Sequence, residues 1–146
     1  MKVIVFVKAT KNSEAGIMPS EQLFIDMGKF NEELVNAGIM QAGEGLHPTV
    51  KAKRVRMASG GARTVIDGPF TETKELVAGF WVWKVKDMAE AVAWAKRCPD
   101  PMPGEDAELE IRPVFEAEDF GAEFTPELQA KEEALRVKLE AQLKQK

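Results

Sequence analysis

The sequence predicts a single α+β domain in which helices cover one face of a sheet. The chain has 146 residues, which is enough for one hydrophobic core and too few for two ordinary domains. Two apolar runs have strand character, Val3 to Val7 and Val77 to Trp83. Each run is followed by a segment with helical periodicity, beginning near Glu21 and near Met88. The predicted order is therefore strand, helix, strands, helix, strand.

The first strand and the first long helix are predicted from residues at the start of the chain. Val3 to Val7 is a continuous, mostly β-branched run, which is typical of a central strand. Ser20 supplies a capping hydroxyl and Glu21 a first-turn carboxylate for a helix that extends to about Ala37. Gly38 suits the left-handed conformation that ends many helices. The apolar side chains of this helix recur on one face: Leu23, Met27, Phe30 and Leu34.

Four further strands are predicted before the second helix. Ile39 to Glu44 is expected to return to the sheet. Ala52 to Ala58 and Arg63 to Asp67 flank the pair Gly60-Gly61, which is a hairpin signal because glycine accepts positive φ. Val77 to Trp83 is the most apolar strand, and alternation directs its two tryptophans to one face and Phe and Val to the other. One face therefore requires helices, and the other requires a partner.

The last part of the chain adds a helix, a strand and a second long helix. Asp87 caps a helix that ends before Pro99. Leu109 to Val114 alternates apolar and charged residues and contains a proline, which predicts an edge strand. Thr125 and the proline after it begin a final helix over about 126–142, whose exposed pairs four residues apart have opposite charges. Its leucine stripe is thin, which favours a surface position or contact with another subunit.

Composition disfavours several classes of protein. The formal net charge of -4 provides no positive field for a phosphate backbone, so no nucleic-acid partner is expected. The apolar run after Met1 is too short for a signal-peptide core or a membrane span, so we expect a cytoplasmic protein without a membrane contact. Cys98 is the only cysteine, so no internal disulfide can form, and its place at a helix end predicts a structural thiol. One Cys and one His do not supply a zinc site, and no cofactor fingerprint is present, so neither a metal nor a cofactor is expected.

Three residues are the candidates for acid–base chemistry: Asp67, Glu44 and His47. Asp67 follows a predicted strand, where its carboxylate either points into a cleft between sheet and helix or bonds the backbone of its own turn. If Asp67 and Glu44 share a cleft, repulsion between them raises the pKa of one carboxyl and prepares a general acid. His47 can act as a base near neutral pH, although a lone His before a proline in a loop is more often simply exposed or hydrogen-bonded.

A second group of candidates follows the same turn. Lys74 is positioned to bind an anionic ligand, and Glu72 and Thr73 complete the predicted ligand-binding set. The alternative is a solvated turn whose charges keep the neighbouring strand edge in water. The sequence leaves these two interpretations open.

Several segments, in this order, resemble the YCII-related family and, within it, the DGPF-domain branch. They are Ala42 to Pro48, Asp67 to Phe70, Glu72 to Glu75, Trp94-Ala95 and Glu110 to Pro113. The resemblance assigns residues 1–115 to the family domain and leaves 116–146 as a C-terminal extension. It implies a ferredoxin-like βαββαβ fold with an antiparallel sheet and an inserted hairpin, which dimerises sheet to sheet into a dimeric α/β barrel.

The resemblance transfers no reaction to this chain. Some relatives are thought to perform acid–base chemistry with a His on the first helix and an Asp. In this chain residues 21–37 contain no His, and His47 follows the second strand, so that pair of residues is not carried over. DGPF-type proteins also tend to be encoded beside extracytoplasmic-function sigma factors, which implies a bacterial regulatory setting.

Two functional hypotheses follow. In the first, a homodimer binds a small organic acid or a lactone in a cleft lined by Glu44, His47, Asp67 and Lys74, with isomerase-like or lyase-like acid–base activity as an additional hypothesis. In the second, the protein is a non-catalytic interaction module in a sigma-factor-linked pathway, and its surface or its C-terminal helix contacts the partner. The residues leave open whether the protein is an enzyme.

Overall fold

The computed structural model describes residues 1–145. The chain divides into two compact units, of which the first is Met1–Pro113 and the second begins at Val114. The first unit contains all the strands and the shorter helices, and the second contains the C-terminal helix.

The first unit has the ferredoxin-like arrangement. Its main elements are β1 (Lys2–Lys8), α1 (Lys11–Glu14), α2 (Glu21–Asn36), β2 (Met40–Gly45), β5 (Val77–Lys84), α3 (Met88–Ala95) and β6 (Leu109–Pro113). The main sheet has four antiparallel strands in the order β2-β5-β1-β6, so β1 and β5 are the two inner strands. The helix α2 lies between β1 and β2 in the chain, and α3 lies between β5 and β6. The predicted α+β class, the central position of β1 and the edge position of β6 are confirmed.

The predicted hairpin is also present, between β2 and β5. The strands β3 (Lys53–Met57) and β4 (Arg63–Asp67) form a separate antiparallel sheet of two strands. All residues of both strands are exposed. The hairpin is therefore an insertion that adds nothing to the hydrophobic core of the main sheet.

The core lies between one face of the main sheet and the helices. Val3 is in register with Trp83 and Val5 with Trp81, and all four side chains are buried. Phe30 of α2 packs edge-on against Trp81, with ring centroids 5.9 Å apart. Aromatic side chains bury large apolar areas and favour this edge-to-face geometry, so this cluster accounts for much of the stability of the unit.

The opposite face of the sheet presents a row of apolar side chains that are only partly buried. Ile4 is in register with Val82, and Phe6 with Phe80. The alternating burial of β5 confirms the predicted division of its side chains between the two faces.

Helix ends agree with the predicted capping residues. The Ser20 hydroxyl accepts a hydrogen bond from the N–H of Leu23 at 3.2 Å, and α2 ends before Gly38, whose φ is 73°. The Asp87 carboxylate accepts from the N–H of Glu90 at 2.9 Å at the start of α3. These bonds satisfy donors that a helix leaves free in its first turn.

The short helix α1 was not predicted from the sequence. It has only four residues, too few for a hydrophobic periodicity to be recognisable. It is held instead by local bonds, since the Thr10 side chain accepts from the N–H of Ser13, and the N–H of Thr10 donates to the Ser13 hydroxyl at 2.8 Å. This reciprocal capping box orders the turn after β1.

The second unit contains the predicted C-terminal helix, α4, which extends over Pro126–Lys144. The Thr125 hydroxyl caps it by accepting from the N–H of Leu128 at 3.2 Å. No residue of α4 is buried. In the segment before it, Phe115 stacks on Phe120 with ring centroids 4.9 Å apart. Within residues 1–145, no helix has both the length and the apolar character needed to cross a membrane.

Candidate functional site

Asp67, the first residue of the Asp-Gly-Pro-Phe turn, forms an ion pair across the hairpin. Its carboxylate lies 2.5 Å from the Nζ of Lys53, and Lys53 and Asp67 are register partners. Both side chains are largely exposed, so the pair adds at most about 1 kcal/mol of stability. The sequence suggested either a carboxylate in a cleft or a bond to its own turn. Neither arrangement includes this ion pair with Lys53.

The glycine and the phenylalanine of the turn hold it against the loop that follows β2. The N–H of Gly68 donates to the carbonyl of Ala52 at 2.9 Å, and a Cβ at Gly68 would collide with the Thr49 carbonyl oxygen. The N–H of Phe70 donates to the Thr49 hydroxyl at 3.0 Å. The Arg54 guanidinium lies 3.7 Å above the Phe70 ring, a cation–π contact. These contacts give the motif a structural role in joining the hairpin to the loop.

Thr49 connects this turn to α1. The Glu14 carboxylate accepts from both the N–H of Thr49, at 3.1 Å, and its hydroxyl, at 2.5 Å. Glu14 and Thr49 are both half-buried, and a charged acceptor strengthens such bonds. Hydrogen bonds from Phe70 to Thr49 and from Thr49 to Glu14 therefore link three segments that are far apart in sequence.

The remaining predicted site residues lie on the surface near these segments. His47 is exposed in the loop after β2. Glu72 and Lys74 are exposed, and Thr73 is half-buried, around a 3-10 helix at Thr73–Glu75. No side-chain hydrogen bond or ion pair among residues 1–145 joins Asp67, Glu44 and His47 to one another. Their joint role in acid–base chemistry stays a prediction.

A cavity of about 310 Å³ lies between α2 and the strands β2 and β5. We call it the inner cavity. Its volume falls within the range of small-molecule sites, which begins at about 300 Å³. Its lining side chains are mainly apolar: Leu23, Phe24, Met27, Met40, Trp81 and Met102.

Glycines form the floor of the inner cavity. Gly79 and Gly45 are register partners, and both line the cavity on the sheet face that carries Trp81. A Cβ at Gly45 would meet no atom within 4 Å, so the space above this residue is open. At Gly43 a Cβ would lie 2.8 Å from Trp81 Cδ1, so glycine is needed there for Trp81 to pack. Gly45 thus leaves open space in the cavity, whereas at Gly79 a Cβ would lie 3.0 Å from the Glu44 carbonyl oxygen.

Asn31 supplies a free hydrogen-bond donor at the inner cavity. Its Oδ1 accepts from the Trp81 Nε1–H at 2.9 Å, which identifies the oxygen end of the amide. The Asn31 NH₂ group has no acceptor among the hydrogen bonds of residues 1–145. Since Asn31 lines the cavity, this donor is available to a ligand.

Glu44 belongs to the strand β2 and lines the inner cavity. It is in register with Phe80, and alternation places both side chains on the sheet face away from α2. The cleft shared with Asp67 that the sequence suggested for Glu44 stays a prediction.

A second cavity, of about 380 Å³, adjoins the first. We call it the outer cavity. The two share five lining residues, Pro19, Leu23, Ala78, Pro101 and Met102. The Thr10 hydroxyl donates to the Met102 sulfur at 3.6 Å, and the N–H of Asn12 donates to the Glu105 carboxylate at 3.2 Å, which holds the loop that contains Met102 against α1.

Sequence reasoning missed Asn31, the glycine floor and Met102. A signal for Asn31 was present, because it follows Met27 by four residues and therefore interrupts the apolar stripe of α2 with an amide. Gly45 and Gly79 face the same space only because β2 pairs with β5, which their separate positions in the chain do not reveal.

Cys98 has the properties of a structural thiol. Burial, and secondly the nearby charge of Asp100, raise the pKa of its thiol to about 11. Its Sγ–H donates to the carbonyl of Pro99 at 3.2 Å. The thiol therefore stays protonated near neutral pH, where it is a poor nucleophile. No group of three or more His, Cys, Asp and Glu side chains in residues 1–145 is arranged to hold a metal ion.

The fold and the cavities define a ferredoxin-like α+β protein with an apolar cleft between a helix and the sheet. The chain belongs to the YCII-related domain family, whose model matches residues 1–116. A relative, an uncharacterized protein from Rhizobium meliloti (strain 1021), is 32% identical over 94 residues, which cover 64% of this chain and 74% of the relative.

A solved structure with a similar arrangement is the 5-chloro-2-hydroxyhydroquinone dehydrochlorinase of Burkholderia phenoliruptrix AC1100, in complex with 2,5-dihydroxybenzoquinone. The match has a TM-score of 0.46 and 14% sequence identity, and it covers 83% of this chain and 100% of the other.

Proposed function

We propose that this protein binds a small neutral ring compound with a carbonyl group, of the lactone class, in the inner cavity. One observation supports this proposal above the others. Asn31 lines an apolar cavity that is open above Gly45, and the bond from Trp81 holds its amide in place. A flat ring can lie over the backbone of β2 at Gly45 while its carbonyl accepts from the Asn31 NH₂ group.

The lining residues favour a lactone over the alternative, an organic acid. Among the described residues that line the two cavities there is no Lys, Arg or His. A carboxylate in such a cavity loses its hydration without gaining a countercharge, which costs several kcal/mol by an order-of-magnitude estimate. A neutral carbonyl needs only a hydrogen-bond donor.

Acid–base chemistry at Asp67, Glu44 and His47, with Lys74, Glu72 and Thr73 as ligand contacts, is a separate part of this proposal. Of these six residues only Glu44 lines the inner cavity, and alternation places its side chain on the other face of the sheet, so such chemistry would take place outside the inner cavity. A homodimer formed through the uncovered sheet face is proposed as well. The partly buried row of Ile4, Phe6, Phe80 and Val82 supports it, because two such faces would exclude water from each other.

The binding proposal is tested by removing the Asn31 donor while keeping its acceptor. In Asn31→Asp, a carboxylate oxygen still accepts from Trp81, but the NH₂ group is replaced by an acceptor that repels a ligand carbonyl. We expect γ-valerolactone to bind the wild-type protein and to bind Asn31→Asp roughly tenfold more weakly or worse, by chemical-shift titration. Asn36→Asp, the same change at an exposed residue of α2, is the matched control. Equal binding by all three proteins contradicts the proposed site.

The exposed helix α4 favours a second candidate function, an interaction module in a sigma-factor-linked pathway. Four leucines of α4 share one stripe and are all largely exposed: Leu128, Leu135, Leu139 and Leu143. Such a stripe is typical of a helix that packs against a partner. In this case the full chain, but not a chain ending at Thr125, forms a stoichiometric complex with a purified extracytoplasmic-function sigma factor, as measured by light scattering.

A further inference from the structure

We infer that the ligand of this protein is a lactone with an unbranched apolar chain, whose ring occupies the inner cavity and whose chain occupies the outer cavity. This inference rests on the proposed function and specifies its ligand class. It follows from the adjacency of the two cavities, the apolar residues at the outer one and the lack of any Lys, Arg or His among the described residues that line it.

The two cavities lie side by side. Five residues line both of them, so only these shared residues stand between a ring in the inner cavity and a chain in the outer cavity. The inner cavity of about 310 Å³ suits a ring, and the outer cavity of about 380 Å³ adds comparable room. A ring alone leaves the outer cavity to water, whereas a ring with a chain occupies part of both cavities.

The outer cavity is lined by apolar side chains that are otherwise exposed to water. Ile17 is 61% exposed, Met18 75% and Leu46 48%. An alkyl chain buries these surfaces against itself, and each buried methylene improves affinity. Methionine adapts its shape to the occupant of such a site. A bound alkyl chain therefore explains why these exposed side chains are apolar, which the packing of the fold does not explain.

The backbone of the outer cavity is stiff, which lowers the entropic cost of binding. Four prolines line it: Pro19, Pro48, Pro101 and Pro103. Proline fixes φ, so less conformational freedom is lost when a ligand enters. The site is accordingly formed before the chain binds.

The polar groups of the outer cavity favour an uncharged chain end. Glu105 is its one ionisable lining residue among those described, and its carboxylate already accepts from the N–H of Asn12. A carboxylate at the chain end would face this negative charge, and an alkyl end would not. The chain is therefore expected to end in a methyl group.

The test is a series of γ-lactones that differ only in chain length: γ-valerolactone, γ-hexalactone, γ-octalactone and γ-decalactone. We expect the affinity of the wild-type protein to rise about fourfold per methylene until the outer cavity is filled. In Leu46→Asp this rise per methylene is expected to become much smaller, because a carboxylate at this position disfavours an alkyl chain in the outer cavity. Val50→Asp is the matched control, because Val50 is 61% exposed in the same loop but does not line the outer cavity.

The possible outcomes separate this inference from the proposed function. If γ-valerolactone binds in an Asn31-dependent way but longer chains add no affinity, the inference is wrong and the proposed function stands. If longer chains add affinity equally in Leu46→Asp and the wild type, the chain lies elsewhere and the inference is wrong. If no lactone binds the folded protein, both are wrong.

Discussion

Trp81 and Trp83 lie side by side on β5 with ring centroids 5.6 Å apart, yet their indole N–H groups have opposite environments. The N–H of Trp81 donates to Asn31, whereas the buried N–H of Trp83 has no partner in the described part of the chain. An unpaired buried donor is destabilising. The indole N–H of Trp83 therefore lowers the stability of the folded state, whereas that of Trp81 does not.

This difference predicts that Trp81→Phe is more harmful than Trp83→Phe. Both changes remove the same ring volume, but the first breaks a hydrogen bond and the second removes an unpaired donor. We expect Trp81→Phe to lower the free energy of unfolding by about 1–2 kcal/mol more than Trp83→Phe. Urea denaturation followed by far-UV circular dichroism measures both values. An equal or larger loss in Trp83→Phe contradicts the interpretation of the two environments.

Gly68 is predicted to tolerate no side chain. A methyl group there overlaps the Thr49 carbonyl oxygen, so Gly68→Ala displaces the loop after β2 and is expected to lower the free energy of unfolding by about 1–3 kcal/mol. Gly60→Ala is the control, since a Cβ at Gly60 meets no atom within 4 Å. Thermal unfolding measures the stability of both variants. An unchanged stability of Gly68→Ala would contradict the prediction and show that the loop moves freely.

Asp67 provides a test of whether the turn is catalytic as well as structural. Its ion pair with Lys53 is exposed, so Asp67→Asn is expected to change the free energy of unfolding by less than about 1 kcal/mol. If Asp67 acts on the ligand, Asp67→Asn abolishes turnover or binding in a protein that remains folded. Lys53→Gln breaks the same ion pair and keeps the carboxylate, so it separates the two roles.

The uncovered sheet face is predicted to form the homodimer interface. Val82→Glu places a charge in the middle of this apolar row, where desolvation in a dimer would be costly, and is expected to yield a monomer at micromolar concentration. Val65→Glu is the control, because Val65 is 60% exposed on a strand of the inserted hairpin. Chromatography with light scattering measures both masses. A monomeric wild-type protein contradicts the prediction.

Cys98 is predicted to react slowly with alkylating reagents in the folded protein. Since its pKa rises from 9.0 to about 11, the thiolate fraction keeps increasing roughly tenfold per pH unit between pH 9 and pH 11. In urea the rate of iodoacetamide alkylation levels off above about pH 9. The folded state binds the proton more tightly in this window, so Cys98 also makes the folded protein lose stability as the pH rises through it. Coincident rate profiles in buffer and in urea would contradict the assignment.

The strands and helices were predictable because their signals are local. The alternation in Val77–Lys84 and the cap at Ser20 each lie within a few residues of the structure that they specify. The same holds for α4, which begins at the predicted Thr125-Pro126 pair and ends two residues beyond the predicted 142. The short α1 escaped prediction because its single turn has no hydrophobic period.

The cavity and its donor were decided by tertiary structure. Asn31 meets Trp81 across 50 residues, and Gly45 meets Gly79 through the pairing of β2 with β5. Asp67 is paired with Lys53 because the register of the hairpin places them opposite each other. Residue type and local periodicity do not reveal which distant side chains become neighbours, since that depends on how the strands pair and on which face the helices cover.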